Sequence, residues 1–116
     1  MVLRFEYLDM DVVTADVEVD FAARKIKYQT YTENIYALPF GNKMNPNMID
    51  LNRFFESRCF PKERRNWRQL LDDLGLDTYD PLEIVKKTHG RQLEDYCWIR
   101  FEGEELDYDT DIKLRD

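Results

Sequence analysis

The segment VTADVEVDF, residues 13–21, decides the fold of this chain. Its apolar side chains alternate one by one with hydroxyl and acidic side chains. Because successive side chains of a β-strand point to opposite faces of a sheet, this pattern is typical of a strand with one buried and one solvated face. The apolar set is Val13, Ala15, Val17, Val19 and Phe21, and the polar set is Thr14, Asp16, Glu18 and Asp20.

A second strand is expected after a short turn near residues 22–24. Its alternating sets are Ile26, Tyr28 and Thr30 against Lys25, Lys27 and Gln29. The two runs predict an antiparallel hairpin in which acids of one strand face lysines of the other, since opposite charges across a strand pair support the register. Residues 35–38 can add a short strand before Pro39 stops it.

Helical patterning begins after the loop at residues 41–47. A first helix carries Leu51, Phe54 and Phe55 on one face, with Asn47 or Asp50 as its candidate N-cap. This helix must end before Pro61, because proline disfavours the helical conformation of the residue that precedes it.

A second helix is expected over about residues 62–74. Trp67, Leu70, Leu71 and Leu74 have the spacing of one helix face, and Gly75 is placed to cap its C-terminus.

A third, short helix opens at Asp80-Pro81, an N-cap followed by a proline in the first turn, and Glu83 occupies the capping-box position. It should close at residues 88–90, where His89 lies at the helix C-terminus and can interact with the helix dipole.

The chain then returns to β-structure. Residues 96–101 predict a strand, residues 102–104 a turn, and Leu106 to Leu114 a last strand. The fold class is therefore α+β, with an N-terminal antiparallel β-hairpin, two to three short helices in the middle, and C-terminal strands that return to the sheet. A chain of 116 residues falls in the range of one domain, so residues 1–116 are expected to form a single domain.

Composition and charge exclude several classes of function. The formal net charge of −7 disfavours direct binding to nucleic acid or to a membrane surface, both of which are anionic. The N-terminus lacks the apolar run of a signal peptide, and no stretch has the roughly 20 apolar residues of a membrane span. The protein is expected to be cytoplasmic, with Cys59 and Cys97 reduced and buried.

The side chains needed for catalysis are few. There is one histidine, His89, and one serine, Ser57, which no sequence motif provides with a base. Cys97 lies in a predicted core strand, where a thiol is packed and inert. The four glycines are too far apart for a phosphate-binding loop. We therefore expect a protein that is not an enzyme and has no cofactor.

The spacing of Asp107, Asp109 and Asp111 resembles the opening of a calcium-binding loop, but Ile112 occupies the position that requires glycine. No metal site is predicted. These three acids are expected instead on one face of the last strand.

The charge is distributed unevenly along the chain. Residues 53–68 contain six bases and two acids, whereas residues 94–116 contain nine acids and three bases. The basic stretch has two interpretations: a solvated helix face paired with neighbouring acids, or a surface that binds a partner. The candidate partner-binding residues are Arg58, Arg64, Arg65, Arg68 and Trp67.

Arg58 has a further expected role. It lies between two predicted helices, where a guanidinium can tie loops together by charge-assisted hydrogen bonds, and Asp95 is a plausible acceptor.

A longer set of motifs extends from Leu38 to Trp98. It comprises Leu38-Pro39-Phe40-Gly41, Phe54-Phe55, Arg58-x-x-Pro61-x-x-Arg64, Leu74-Gly75-Leu76, Asp80, Ile84, Gly90, Leu93 and Asp95-x-x-Trp98. Residues 38–99 thereby resemble the segment that precedes the kinase domain in HipA-like kinases of Gram-positive bacteria. The catalytic residues of that family lie beyond this segment, so the resemblance implies a fold module with a binding role and a kinase-like partner.

Two hypotheses of function follow. The first is a small non-enzymatic interaction or regulatory module from a bacterial or phage mobile element, with an accessory role like that of a toxin–antitoxin component. The alternative is an acidic inhibitor of the DNA-mimic, anti-CRISPR-like type, which binds a nuclease or another nucleic-acid-binding protein through Asp107, Asp109 and Asp111. An exposed hairpin edge would also make a homodimer easy to form.

Overall fold

A computed structural model describes residues 1–113 of the chain. Four antiparallel strands form one sheet in the order β3-β2-β1-β4. The strands are β1 (Val2–Asp9), β2 (Val12–Asp20), β3 (Lys25–Thr30) and β4 (Cys97–Phe101). Three helices, α1 (Met48–Ser57), α2 (Trp67–Asp73) and α3 (Pro81–Thr88), follow β3 in the sequence. The α+β class is confirmed.

The predicted hairpin is the β2–β3 pair. Glu18 lies opposite Lys27, and Asp20 lies opposite Lys25, in the register expected from the charges. The strand that the sequence analysis missed is β1, which occupies a central position between β2 and β4. Its alternation of Leu3, Phe5 and Tyr7 with charged residues was a usable signal, because it has the same period of two as β2.

One face of the sheet carries the main core. Alternate residues of the strands pack against the apolar faces of the three helices, and stacked aromatic rings link Phe5 of β1 to Phe54 of α1 at 6.1 Å between ring centres. The core residues are Phe5, Tyr7, Ala15, Val17, Val19, Leu51, Phe54, Phe55, Leu71, Ile84, Val85 and Ile99, together with both cysteines.

Helices α1 and α3 begin directly after residues whose side chains cap them. Asn47 accepts from the backbone N–H of Asp50, and Asp50 accepts from that of Asn47, so both candidate caps act in one capping box. Asp80 accepts from the N–H of Leu82 at the start of α3. Gly75, with φ of +75°, follows the end of α2 as predicted.

The helix expected over residues 62–74 begins only at Trp67. Residues 61–67 instead form two successive turns, in which Arg64 N–H donates to Pro61 O and Trp67 N–H donates to Arg64 O. Positions 60–62 hold no serine, threonine, aspartate or asparagine that could cap an earlier start. Arg64 and Arg65 therefore precede the helix, and only Arg68 lies within it.

Two predicted strands are wrong. Residues Ile35–Ala37 form a turn of 3₁₀-helix, because the Asn34 side chain accepts from the N–H of Tyr36. The expected last strand over residues 106–114 is a turn of π-helix at Tyr108–Ile112, and Leu114 lies outside the described residues. Local side-chain bonds again compete with the strand: Asp107 accepts from Thr110 N–H, and Asp111 accepts from Asp107 N–H.

This C-terminal turn covers one end of the opposite sheet face. Tyr108 and Ile112 pack with Leu8 and Trp98 in a second, smaller cluster. The indole N–H of Trp98 donates to the carbonyl oxygen of Met10 at 2.6 Å. None of the helices in residues 1–113 has the length and apolar character needed to cross a bilayer.

The second cluster gives the first prediction. Replacing Ile112 with alanine should lower the free energy of unfolding by about 2–5 kcal/mol, because it removes a buried side chain that holds the turn on the sheet. Asp109→Ala changes an exposed residue of the same turn and should alter it by no more than about 0.5 kcal/mol. Urea unfolding followed by tryptophan fluorescence measures both, and equal effects would contradict the described turn.

Candidate functional site

Arg58, at the end of α1, is the only charged residue that is buried within residues 1–113, with 7% relative exposure. Its Nε donates to the carbonyl oxygen of Gly90 at 2.8 Å, and one terminal nitrogen donates to the carbonyl oxygen of Cys97 at 2.8 Å. The two terminal nitrogens also bind the two carboxylate oxygens of Asp95 at 2.8 and 2.9 Å. The expected tie between loops, with Asp95 as acceptor, is confirmed.

The electrostatics of this pair favour the ionised form of Asp95. Partial burial raises the pKa of this carboxyl, but the hydrogen bonds and charge of Arg58 outweigh burial and bring the pKa below its ordinary value. The backbone N–H of Cys97 acts in the same direction, donating to Asp95 at 3.0 Å. Arg58 stays protonated, since Asp95 more than offsets the cost of its burial.

The position of Arg58 separates it from the other candidate binding residues. It lies under the Tyr7 ring, with its guanidinium carbon 5.6 Å from the ring centre. Its hydrogen-bonding groups point at acceptors within the chain, so the guanidinium has a structural role and is not presented to a partner. We leave it out of the proposed binding surface.

Gly90 fits between Arg58 and strand β4. Its φ is +66°, and an added Cβ atom would lie 3.1 Å from Arg58 Cβ and 3.2 Å from Ile99 Cδ1. Glycine is therefore required here both by its backbone conformation and by the close approach of its neighbours.

The remaining candidate residues form an exposed surface. Lys62, Arg64, Arg65 and Arg68, here called the basic cluster, are all exposed and lie in the turns before α2 and in its first turn. The half-buried Trp67 lies among them. Arg64 and Arg65 thus lie in turns and not on the helix expected over residues 62–74, whereas Trp67 and Arg68 begin that helix.

Aromatic rings position two members of the basic cluster. Lys62 Nζ lies 5.3 Å from the centre of the Trp67 ring and 5.8 Å from that of Tyr79. The guanidinium carbon of Arg68 lies 5.0 Å from the Trp67 ring. Such contacts attract a cation to the face of a ring while leaving its hydrogen-bond donors free. Tyr79 is itself fixed, because its hydroxyl donates to Phe60 O at 2.6 Å.

The basic cluster is not neutralised by its neighbours. Within residues 1–113 none of its four side chains makes an ion pair, although Glu63, Asp72 and Asp73 are close in sequence. Asp73 accepts from Gln69 instead, at 3.0 Å. The interpretation as a helix face paired with neighbouring acids is therefore not what the described part of the chain shows.

A groove of about 310 Å³ opens beside the basic cluster. Arg64 and Arg91 line it, and Arg91 also has no ion-pair partner in the described chain. Phe60, Leu70 and Leu93 contribute apolar surface and Glu94 contributes one acid, so the groove combines two exposed cations, an apolar contact and a carboxylate.

The three acids of the acidic-inhibitor hypothesis, Asp107, Asp109 and Asp111, differ in their hydrogen bonding. Asp107 and Asp111 accept backbone hydrogen bonds within the C-terminal turn, and Asp109 is exposed. On the sheet, the acids are interleaved with bases: Glu18 pairs with Arg4 at 2.6 Å and with Lys27 at 3.4 Å. The sheet face therefore has mixed charge and does not continue a negative surface from β2.

Within residues 1–113 no hydrogen bond joins the side chains considered for catalysis to one another. His89 caps α3 at its C-terminus, as predicted, and its Nε2 lies 2.8 Å from Glu104 Oε2. Cys97 is buried beside Tyr7 and Asp95, and burial raises the pKa of its thiol. Burial also raises the pKa of Cys59 to about 12. Ser57 donates to Phe54 O at 2.6 Å, and no group of three metal-ligating side chains converges within residues 1–113.

Comparison of the chain with protein-family models, curated proteins and solved structures finds no match to any of them. The functional proposal therefore depends on the geometry. Sequence reasoning missed two contributors to it, Tyr79 and Arg91, because only the fold brings them beside residues 62–68.

Replacing Asp95 with asparagine should lower the free energy of unfolding at pH 7 by about 1 kcal/mol. This is below the usual value for a charged hydrogen bond because 39% of the Asp95 side chain is exposed. A carboxyl whose pKa is lower in the folded state stabilises the fold above the ordinary aspartate pKa of about 3.9. This stabilisation is lost as the pH falls through the pKa of the folded state. The difference from the wild type should therefore shrink as the pH falls below about 4 in urea titrations; a constant difference would contradict the ionised pair.

Gly90→Ala should cost about 2–4 kcal/mol, from a left-handed backbone and from the contacts with Arg58 and Ile99. Gly75→Ala is the matched control, since φ is +75° there but no atom lies within 4 Å of the added Cβ. Thermal and urea unfolding of the two variants should show the larger loss at Gly90. A loss at Gly75 as large as that at Gly90 would argue against the close packing.

Proposed function

We propose that this protein is a non-enzymatic interaction module that binds an acidic surface of another protein through the basic cluster and Trp67. The observation that carries the proposal is that four exposed cations without an ion pair in residues 1–113 are clustered at residues 62–68 around Trp67, in a chain with a net charge of −7. A chain so rich in carboxylates has many ways to neutralise a cation internally. Arg4, Lys43 and Arg100 are examples that do pair.

The arrangement suits binding to a protein. Aromatic anchors combined with arginine are typical of the residues that dominate protein interfaces. Lys62 and Arg68 are held against Trp67, so part of the entropy of ordering long side chains is already lost before a partner arrives. The apolar lining of the adjacent groove can accept a side chain of the partner next to its acids.

The resemblance of residues 38–99 to the segment before the kinase domain of HipA-like kinases supports a kinase-like protein as the first partner to test. In that interpretation the module is an accessory or regulatory component encoded by a bacterial or phage mobile element. The acidic-inhibitor alternative receives less support from the geometry, because Arg4 and Lys27 lie among the acids of the sheet and two of its three named aspartates bind backbone.

The test compares two triple variants of equal charge. Arg64→Gln, Arg65→Gln and Arg68→Gln remove three cations from the basic cluster. Arg24→Gln, Arg53→Gln and Lys87→Gln remove three exposed cations elsewhere that also lack ion pairs in the described residues. Proteins retained from a lysate of the native host by the wild-type chain are identified by mass, and the purified partner is then titrated by calorimetry.

The cluster variant should lose at least tenfold in affinity and the control variant less than about twofold, because a direct contact depends on position and not only on net charge. Wild-type binding should also weaken with added salt. Equal losses in the two variants, an unchanged affinity in the cluster variant, or no protein retained by the wild type would each contradict the proposal.

A further inference from the structure

The two edges of the sheet differ in how their backbone groups are used. On the β4 edge, the N–H groups that point away from β1 belong to Cys97, Ile99 and Phe101. They donate to Asp95 Oδ1 at 3.0 Å, to His89 O at 2.7 Å and to Glu104 Oε1 at 2.7 Å. The chain thus satisfies every outward N–H of β4, and this edge is closed.

The β3 edge has no such cover. Tyr31 N–H donates to Thr14 O, and this bond fixes which residues of β3 face β2. Hydrogen-bonded and non-hydrogen-bonded pairs alternate in an antiparallel ladder, so Ala15 and Thr30 form a non-hydrogen-bonded pair. The backbone groups of Thr30, and of every second residue before it in β3, therefore point away from β2. The outward groups are the N–H and C=O of Ile26, Tyr28 and Thr30, and none of them has a hydrogen-bond partner within residues 1–113.

The side chains of β3 give this open edge two different faces. Lys25, Lys27 and Gln29 lie on the outer face of the sheet, and 85% of the Lys27 side chain is exposed. Ile26 and Tyr28 lie on the core face and are half-buried. Tyr28 packs edge-on against Phe40 at 4.9 Å between ring centres, which extends the apolar surface at this side of the core.

We propose that the β3 edge binds an extended segment of another protein, which adds to the sheet as a fifth strand. The backbone groups of Ile26, Tyr28 and Thr30 supply the ladder. The side chains define the partner chemistry: a segment that alternates apolar residues, packed beside Ile26 and Tyr28, with acidic residues beside Lys25 and Lys27. Cross-strand pairs of opposite charge favour this arrangement, and strand addition at an open edge is an established mode of peptide recognition.

A second copy of this chain fits the edge less well. If two β3 strands paired with each other, Lys25 and Lys27 of both copies would line the same face of the seam. Like charges facing each other across strands are destabilising. Lysines on an edge strand are also a common means of preventing self-association. The same lysines, which would repel a second copy of the chain, attract an acidic segment of a different protein.

The experiment uses an end-capped octapeptide that alternates glutamate and valine as the probe. Amide hydrogen exchange of the ¹⁵N-labelled full chain is measured by NMR with and without saturating peptide. In the free protein, the amides of Ile26, Tyr28 and Thr30 should exchange freely, whereas those of Lys27 and Gln29 are protected by β2. The peptide should slow exchange of the three outward amides at least tenfold.

Matched peptides and variants separate this mode from simple charge attraction. A peptide with N-methyl groups on alternate amides keeps the side chains but cannot form the ladder, and a lysine–valine peptide reverses the charge; neither should protect the edge. Lys25→Gln with Lys27→Gln should weaken binding at least fivefold, and Lys86→Gln with Lys87→Gln on α3 should not. In the Arg64, Arg65 and Arg68 variant this peptide should protect the amides of Ile26, Tyr28 and Thr30 as in the wild type, so occupancy of the edge is measured separately from any binding at the basic cluster.

Four results would overturn the proposal. These are outward amides already protected in the dilute free protein, no added protection at saturating peptide, equal protection by the N-methylated peptide, and protection that rises with protein concentration alone. The last would identify a second copy of the chain as the occupant.

Discussion

The buried guanidinium of Arg58 is the interaction on which the arrangement of the chain depends. It joins the end of α1 to Gly90, which lies 32 residues further along the chain just after α3, and to Cys97 at the start of β4, 39 residues further along. Removing one partner of a buried hydrogen bond commonly costs about 1–3 kcal/mol for each group that is left buried and unpaired. The carbonyl oxygens of Gly90 and Cys97 would lose their donors together with Asp95. The position of β4 and the packing of the helices on the sheet are thus coupled through one side chain.

Elements with a strong periodic pattern and an evident cap were predictable from the sequence. The β2–β3 hairpin, the start of α1 at Asn47 and the start of α3 at Asp80 belong to this group. Predictions failed where a side chain competes locally for backbone groups, as at Asn34 and Asp107. The delayed start of α2 has the complementary cause, since residues 60–62 offer no capping side chain; Asn66 occupies the N-cap position but makes no side-chain cap hydrogen bond. Strand β1 was missed although its pattern was present.

The candidate site was predictable only in part, because some of its residues are far from the others in sequence. Arg64, Arg65, Trp67 and Arg68 are neighbours in sequence, so composition alone grouped them. Tyr79 and Arg91 reach the same surface only through the fold. Arg58 belongs to the same basic stretch but points inward, as its expected bond to Asp95 indicated, so its place among the candidate binding residues was wrong. A basic stretch indicates which residues carry charge, whereas exposure and pairing decide which of them can meet a partner.

The closed β4 edge limits how many strands can be added to the sheet. Strand-to-strand assembly propagates only when each added unit offers a fresh edge at its far side, as happens in fibrils. Here Asp95, His89 and Glu104 occupy the donors that the next unit would need. If a strand is added at β3 as proposed, the occupied N–H groups of β4 leave no second edge at which pairing could continue.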